Sequence, residues 1–245
     1  MPVMRLDRFF SSQDILTRKE VKSFVKLGMI QVNRIPASSP EQRIDTEKDQ
    51  ISLNGNGVPY EPYLYLMLNK PQGVVSATED ARNPTVLDLV PPEYFRSGLF
   101  PAGRLDKDTV GFVLLTNDGD FAHEILSPKK HIPKTYLVRL DGPLTPKGIQ
   151  RLEQGIELAD GSLCQPAEVV LREDGTEPLC EMVLREGKYH QIKRMFGVLD
   201  LGVIWLKRTK IGELCLDENL AEGGCRKILH KEKEKILCTY TSPVE

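Results

Sequence analysis

A chain of 245 residues is long enough for one large domain or for a small domain followed by a larger one. Its 40% hydrophobic and 28% charged content supplies a sizeable core and excludes wholesale disorder, and apolar runs such as Phe112 to Leu115 are far shorter than the roughly 20 residues of a membrane span. The five cysteines are scattered with no C-x-x-C pair, and no apolar block follows the cations of Met1 to Phe10, so reduced thiols and a cytoplasmic location are expected and zinc is disfavoured.

The net charge of −2 conceals local fields. Residues 1–34 carry seven cations against three acids, and residues 185–210 seven against two. Thr17-Arg18-Lys19-Glu20 has the form of a capping box, so a helix is predicted to start there. Val21, Phe24 and Val25 give it an apolar stripe, while Arg18, Lys22 and Lys26 recur every fourth residue on another face. Gly28 should end it and Met29–Asn33 continue as a short strand; Leu6, Phe9 and Phe10 suit an earlier helix closing a small core. The turn-rich Asn54-Gly55-Asn56-Gly57 reads as a linker.

From Tyr63 onward strands and helices mix without a regular βαβ repeat. Strands are predicted at Tyr63–Leu68, Phe112–Thr116, Thr135–Leu140, Ala167–Arg172, Leu179–Arg185 and Val203–Leu206, and helices at Phe121–Leu126, Lys147–Gln154 and His190–Leu199. The expected class is α+β, a small domain over residues 1–60 followed by one over 61–245 with a mixed, largely antiparallel sheet and flanking helices. In Gly103–Gly119 a loop with charged groups feeds directly into an apolar strand. By pattern alone Asp106 is either a turn residue or a carboxylate presented at a cleft.

Resemblance adds to this reading. The run from Arg5 through Thr17-Arg18-Lys19 to Gly28–Asn33 resembles an S4-like RNA-binding domain, which implies that Arg5, Arg18, Lys19, Lys22 and Lys26 contact RNA. It departs from that pattern at Arg34, where a glycine is expected after Asn33. Gly103-Arg104-Leu105-Asp106 and its following strand look like the signature of pseudouridine synthases. Leu68–Gly73, Lys134–Val138 and Glu186–Met195 occur in the same family's order, and the combination resembles the RsuA-like branch, the ribosomal small-subunit pseudouridine synthase A family.

That likeness implies an isomerase needing no cofactor or metal, with small-subunit ribosomal RNA, free or in an assembling particle, as its partner. It also implies the uridine-516 site of 16S rRNA as target and a monomer with no membrane role. Asp106 would be the catalytic carboxylate, acting as nucleophile or as base. Lys193 would pair with it or bind phosphate, and Tyr136 would stack on the everted base or belong to the core. Arg104 would fill the flipped nucleotide's gap, hold its phosphate or pair with Asp108; Ile192 would line the uracil pocket; Lys70 would also bind substrate. The alternatives are a large-subunit 23S synthase and a non-catalytic assembly factor. A metal-dependent nuclease lacks a third carboxylate ligand near Asp106 and Asp108, and no glycine-rich loop suggests a methyltransferase.

Overall fold

The computed structural model describes residues 3–127 and 129–238. The chain divides into two compact units, Met1–Leu64 and Tyr65–Glu245. The division falls later than the predicted boundary because residues 60 and 61 are tied into the first unit. Tyr60 stacks on Phe9 with ring centroids 5.6 Å apart, and the Glu61 amide donates to Gln13 Oε1 at 2.8 Å.

The first unit runs β1 (Val3–Arg5), α1 (Leu6–Ser11), α2 (Arg18–Lys26), β2 (Ile30–Val32), β3 (Ile35–Pro36), β4 (Arg43–Asp45), β5 (Ile51–Leu53) and β6 (Asn56–Gly57). The Thr17 hydroxyl accepts from the Glu20 amide while the Glu20 carboxylate takes the Thr17 amide, so the capping box forms and α2 starts where its sequence signals. Leu6, Phe9, Phe10 and Val21 are buried together with Ile30, Val32, Ile44 and Ile51. Arg18, Lys19, Lys22 and Lys26 are exposed along α2.

Two turns in this unit were misjudged or incompletely read from sequence. Asn54-Gly55 is no linker: it turns the β5–β6 hairpin, with Leu53 opposite Asn56 and φ of 52° and 81° at the two turn residues. Asn-Gly is the pair that such a left-handed two-residue turn favours. Asn33-Arg34 turns the β2–β3 hairpin in the same way, with φ of 52° and 67°. Arg34 therefore holds a left-handed conformation that costs a residue with a Cβ about 1–2 kcal/mol, against about 0.5–1 for ordering a glycine. Arg34→Gly is expected to raise stability by roughly 0.5–1 kcal/mol, read as a higher denaturant midpoint at unchanged slope; a lower midpoint would show that the arginine side chain supports the turn.

The second unit runs β7 (Tyr65–Lys70), β8 (Phe100–Pro101), β9 (Val110–Thr116), α3 (Gly119–Leu126), β10 (Lys134–Leu140), α4 (Pro146–Glu153), β11 (Glu168–Glu173), β12 (Leu179–Leu184), α5 (Gln191–Gly197), β13 (Val203–Ile211), β14 (Leu214–Cys215), β15 (Cys225–Lys227) and α6 (His230–Leu237). Among the described residues its sheet has nine strands in the order β11-β12-β10-β13-β9-β7-β15, with β14 on β13 and β8 on β9. Every pairing is antiparallel except β9 with β13, so the sheet is mixed and largely antiparallel. Each residue of β9 is buried, as expected of an apolar run covered on both faces. Among the described residues no helix is long and apolar enough to cross a membrane.

The second unit differs from expectation in several elements. β13 runs on to Ile211 through Lys207, Arg208 and Lys210, cations that broke the apolar pattern. α5 starts one residue later than predicted, because His190 sits outside it in a left-handed conformation, and it ends earlier, at Gly197. β15 and α6 are unpredicted: β15 pairs along the β7 edge, and Ile228, just after it, joins Ile236 of α6 in the core around Phe112.

Candidate active site

The loop from Gly103 to Thr109 joins β8 to β9 and is held along its length. The Ser76 hydroxyl donates to the Leu105 carbonyl and accepts the Leu105 amide, both at 3.0 Å. Asp106 opens a tight turn closed by the Thr109 amide on the Asp106 carbonyl at 3.1 Å. The Lys107 carbonyl accepts from the Gly73 amide at 2.8 Å, and its ammonium reaches Asn83 Oδ1 at 2.7 Å. With its backbone fixed on both sides of position 106, the loop presents that carboxylate as a half-buried group.

Lys70 secures the same loop from beneath and corrects the expectation that it binds substrate. Its side chain is fully buried, and Nζ donates to the carbonyls of Pro71 at 3.0 Å, Lys107 at 3.3 Å and Thr109 at 2.7 Å. All three ammonium donors are thus committed to backbone, leaving none for a ligand. Burial pushes its pKa down to about 8, against the opposing pull of Asp108 and Asp106.

Lys193, on the first turn of α5, lies 3.3 Å from Asp106 Oδ2. Its closer partner, which sequence reasoning missed, is Asp108, with both carboxylate oxygens within hydrogen-bond range at 2.6 and 2.8 Å. Partial burial would lower the lysine, but the Asp108 hydrogen bond and the charges of both aspartates raise it above its ordinary value. The same hydrogen bond holds Asp108 below the usual carboxylate range, against partial desolvation. Asp108 is therefore taken by Lys193, and the alternative of an Arg104–Asp108 pair is not formed; Arg104 is exposed. A third group, His190 Nε2, stands 3.5 Å from Asp106 Oδ1.

The segment before α5 is latched by Gln191 and Glu186. Gln191 Nε2 donates to Glu186 Oε1 at 2.7 Å, Gln191 Oε1 accepts the Lys188 amide at 2.8 Å, and Glu186 Oε1 also takes the Gln165 amide at 2.8 Å. Ile192 is 5% exposed and packs in the cluster of Met195, Phe196, Val138 and Met182. The expectation that it lines an open pocket is corrected: residues 192, 195 and 196 share one helical stripe, so all three face the core.

Sheet register sets Lys70 opposite Gly111, Gly111 opposite Arg208, Arg208 opposite Tyr136 and Tyr136 opposite Met182, one row across five strands. Gly111 has φ of 99°, and a Cβ there would stand 2.3 Å from the Arg208 carbonyl oxygen. Only glycine lets β9 and β13 approach at this point. Tyr136 is partly buried and packs against the cluster containing Ile192. A groove of about 620 Å³ is lined by its neighbours Thr135 and Leu137 with Trp205 and Lys207, which alternate with Tyr136 and Arg208 and so belong to the opposite sheet face.

Arg208 is the other residue that sequence reasoning passed over, though a cation inside an apolar strand was its signal. It is 3% exposed, and Nε donates to the Phe112 carbonyl at 2.7 Å, where β9 has left β13 and not yet met β8. The guanidinium fills that gap at the root of the loop. Arg5, expected to contact RNA, is engaged within its own unit by Asp7 at 2.8 Å and Glu41 at 3.3 Å.

The arrangement is a half-exposed carboxylate on a pinned loop, flanked by an ammonium and an imidazole. Such a group can attack a carbon or take a proton.

The chain is similar to known proteins along nearly its whole length. The family model for RNA pseudouridylate synthases matches residues 64–197. The uncharacterised RNA pseudouridine synthase YtzG of Bacillus subtilis (strain 168) is 44% identical over 94% of this chain and 96% of its own. Ribosomal small subunit pseudouridine synthase A of Pasteurella multocida (strain Pm70) is 39% identical over 94% of this chain and 97% of its own. A crystal structure of a pseudouridylate synthase superposes with a TM-score of 0.66 at 36% identity, covering 95% of this chain and 99% of that one. A family match over more than half the chain, joined to relatives of this identity along nearly its whole length, leaves one assignment: the chain belongs to the RNA pseudouridine synthases, an isomerase family, and within it to the RsuA-like branch.

Proposed function

We propose that the chain converts one uridine of 16S ribosomal RNA, the uridine-516 site, to pseudouridine, with Asp106 as the reacting carboxylate. The observation carrying this reading is Lys193 Nζ at 3.3 Å from an Asp106 carboxylate that the loop holds half-exposed. The reaction breaks the bond from ribose C1′ to N1, turns the base and forms the bond from C1′ to C5. N1 gains the hydrogen that C5 loses, so no redox partner or energy source is required.

Asp106 either adds to C1′ or takes a ribose proton, and Lys193 compensates the carboxylate's charge before and after the step. Asp108 keeps the ammonium in place through two short hydrogen bonds. Tyr136 would meet the everted base, replacing part of the stacking lost on eversion, about 1–3 kcal/mol for an aromatic ring under a base. Arg104, exposed beside Asp106, would hold the phosphate or fill the vacated stack. Within the first unit, the exposed row Arg18, Lys19, Lys22 and Lys26 supports an S4-like RNA-binding role through phosphate contacts. The choice of small-subunit RNA follows relatives such as those of Pasteurella multocida and Haemophilus influenzae, both named ribosomal small subunit pseudouridine synthase A.

The test is a pseudouridine map of ribosomal RNA from cells lacking the protein, then restored with the wild type or with Asp106→Ala. Loss of one 16S site, recovered by the wild type alone, is expected. Loss of a 23S site would move the substrate to the large subunit, and an unchanged map would leave an assembly role without this chemistry.

A further inference from the structure

We propose that Tyr189, stacked on His190, is a platform for a nucleobase neighbouring the everted uridine; this rests on reading the site as a uridine isomerase. Tyr189 is 77% exposed, the most exposed of the large hydrophobic side chains among the described residues. Its ring lies 3.9 Å from the His190 ring at an interplanar angle of 19°, so the two are already stacked. The edge of the same imidazole is 3.5 Å from Asp106 Oδ1. An aromatic surface open to solvent is thereby docked, through one intervening ring, onto the carboxylate that the reaction requires.

The backbone is strained to place it. His190 has φ of 47° and ψ of 37°, a left-handed conformation that costs a residue with a Cβ. The surrounding bonds over-determine it: the Glu186–Gln191–Lys188 latch closes the segment from one side, and Arg194 Nη1 donates to the Tyr189 carbonyl at 3.3 Å from the other. Strain held in this way at a reacting group points to a positioning role.

Nucleobases are the occupant these features select. Stacking on a free ring face suits every base, because each has a π-face. A base on the outer face of Tyr189 stands two ring layers from the imidazole touching Asp106. That placement suits a neighbour of the target, while the target uridine itself goes to the carboxylate. Tyr136, partly buried among core side chains, is separately placed on the sheet and does not offer this outer surface.

The test is binding of a 16S rRNA transcript by the full chain in the Asp106→Asn background, where affinity is read without turnover. Adding Tyr189→Ala is expected to weaken binding about 5- to 150-fold, the range of one aromatic–base stack, while Tyr189→Phe keeps the ring and stays within about twofold. Because the contact is not ionic, the slope of affinity against salt should be the same for all three. In the otherwise wild-type protein Tyr189→Ala should raise KM with little change in kcat. Equal affinity with and without the ring would overturn the proposal. So would a fall in kcat at constant KM, which would assign Tyr189 to holding His190 instead. Failure of the isomerase reading is separately visible, as a wild-type protein that forms no pseudouridine.

Discussion

Asp106→Asn should reduce pseudouridine formation by at least about 10⁴-fold, the scale at which enzymes lose turnover when a nucleophile or its activating group is removed. The substitution keeps the side chain's volume and hydrogen-bonding shape but removes the charge needed for attack or proton abstraction. Lys193 stays held by both oxygens of Asp108, so the local structure has no cause to collapse. Asp106 and Lys193 are both partly exposed, with side chains 30% and 25% accessible, and a pair of this kind contributes at most about 1 kcal/mol to stability. Folding and RNA affinity should therefore be nearly unchanged while turnover disappears. A variant with turnover within tenfold of wild type would move the chemistry away from position 106, with Asp108 the next carboxylate to test.

Lys70→Met should lower kcat about 10²-fold with little effect on KM, although Lys70 touches no substrate in this reading. A displacement of about 1 Å at the reacting group is enough for that loss. Without the ammonium the carbonyls of Lys107 and Thr109 lose the donor that holds them, and the turn presenting Asp106 loosens. The ionisation of Lys70 adds a pH signature. Burial lowers its folded pKa to about 8 from an ordinary value of 10.5, so between these values the unfolded chain holds more protons than the folded one.

Stability then rises with pH across that window, by up to roughly 3 kcal/mol for this group, and the contribution is absent below about pH 8. Lys134, half-buried where Nζ bonds the carbonyls of Ile125 and Ile132, is lowered by desolvation to about 8 as well. It is present in both proteins and cancels in their difference. Urea unfolding at pH 7 and pH 10 should show the wild type gaining stability relative to Lys70→Met. Turnover should move the other way: discharge of the ammonium removes one donor from the loop, so the wild-type kcat falls as pH passes about 8. A pH-independent stability difference, or a methionine variant of undiminished kcat, would show that the buried ammonium does not govern the loop.

Much of this protein is written in local signals. The capping box at Thr17, the glycine after α2 and the apolar runs of β9, β10 and β12 were legible because each depends on neighbours within a few residues. The hairpin at Asn54-Gly55 carried an equally local signal, but its short strands hid it among turn residues. Asp106 and Lys193 were brought forward by resemblance to a family, and the structure places them 3.3 Å apart. What the pattern misassigned were side chains whose surroundings come from elsewhere in the chain. Lys70 looks like a surface cation until β9 and its loop close over it, and Ile192 looks separable from Met195 until the helix turns both to one face.

Composition and periodicity therefore decide which segments become strands and helices and where charge collects, since those depend on backbone preference and the spacing of apolar residues. Partner choice among charges is different. Lys193 selects Asp108 over Asp106, Arg208 serves a carbonyl left where two parallel strands part, and His190 meets a carboxylate 84 positions away in sequence. Each of these is settled by distances of a few ångströms between segments remote along the chain. Electrostatic and hydrogen-bond energies fall away steeply over such distances, so only the packed sheet, with its register and the close approach that Gly111 permits, determines them.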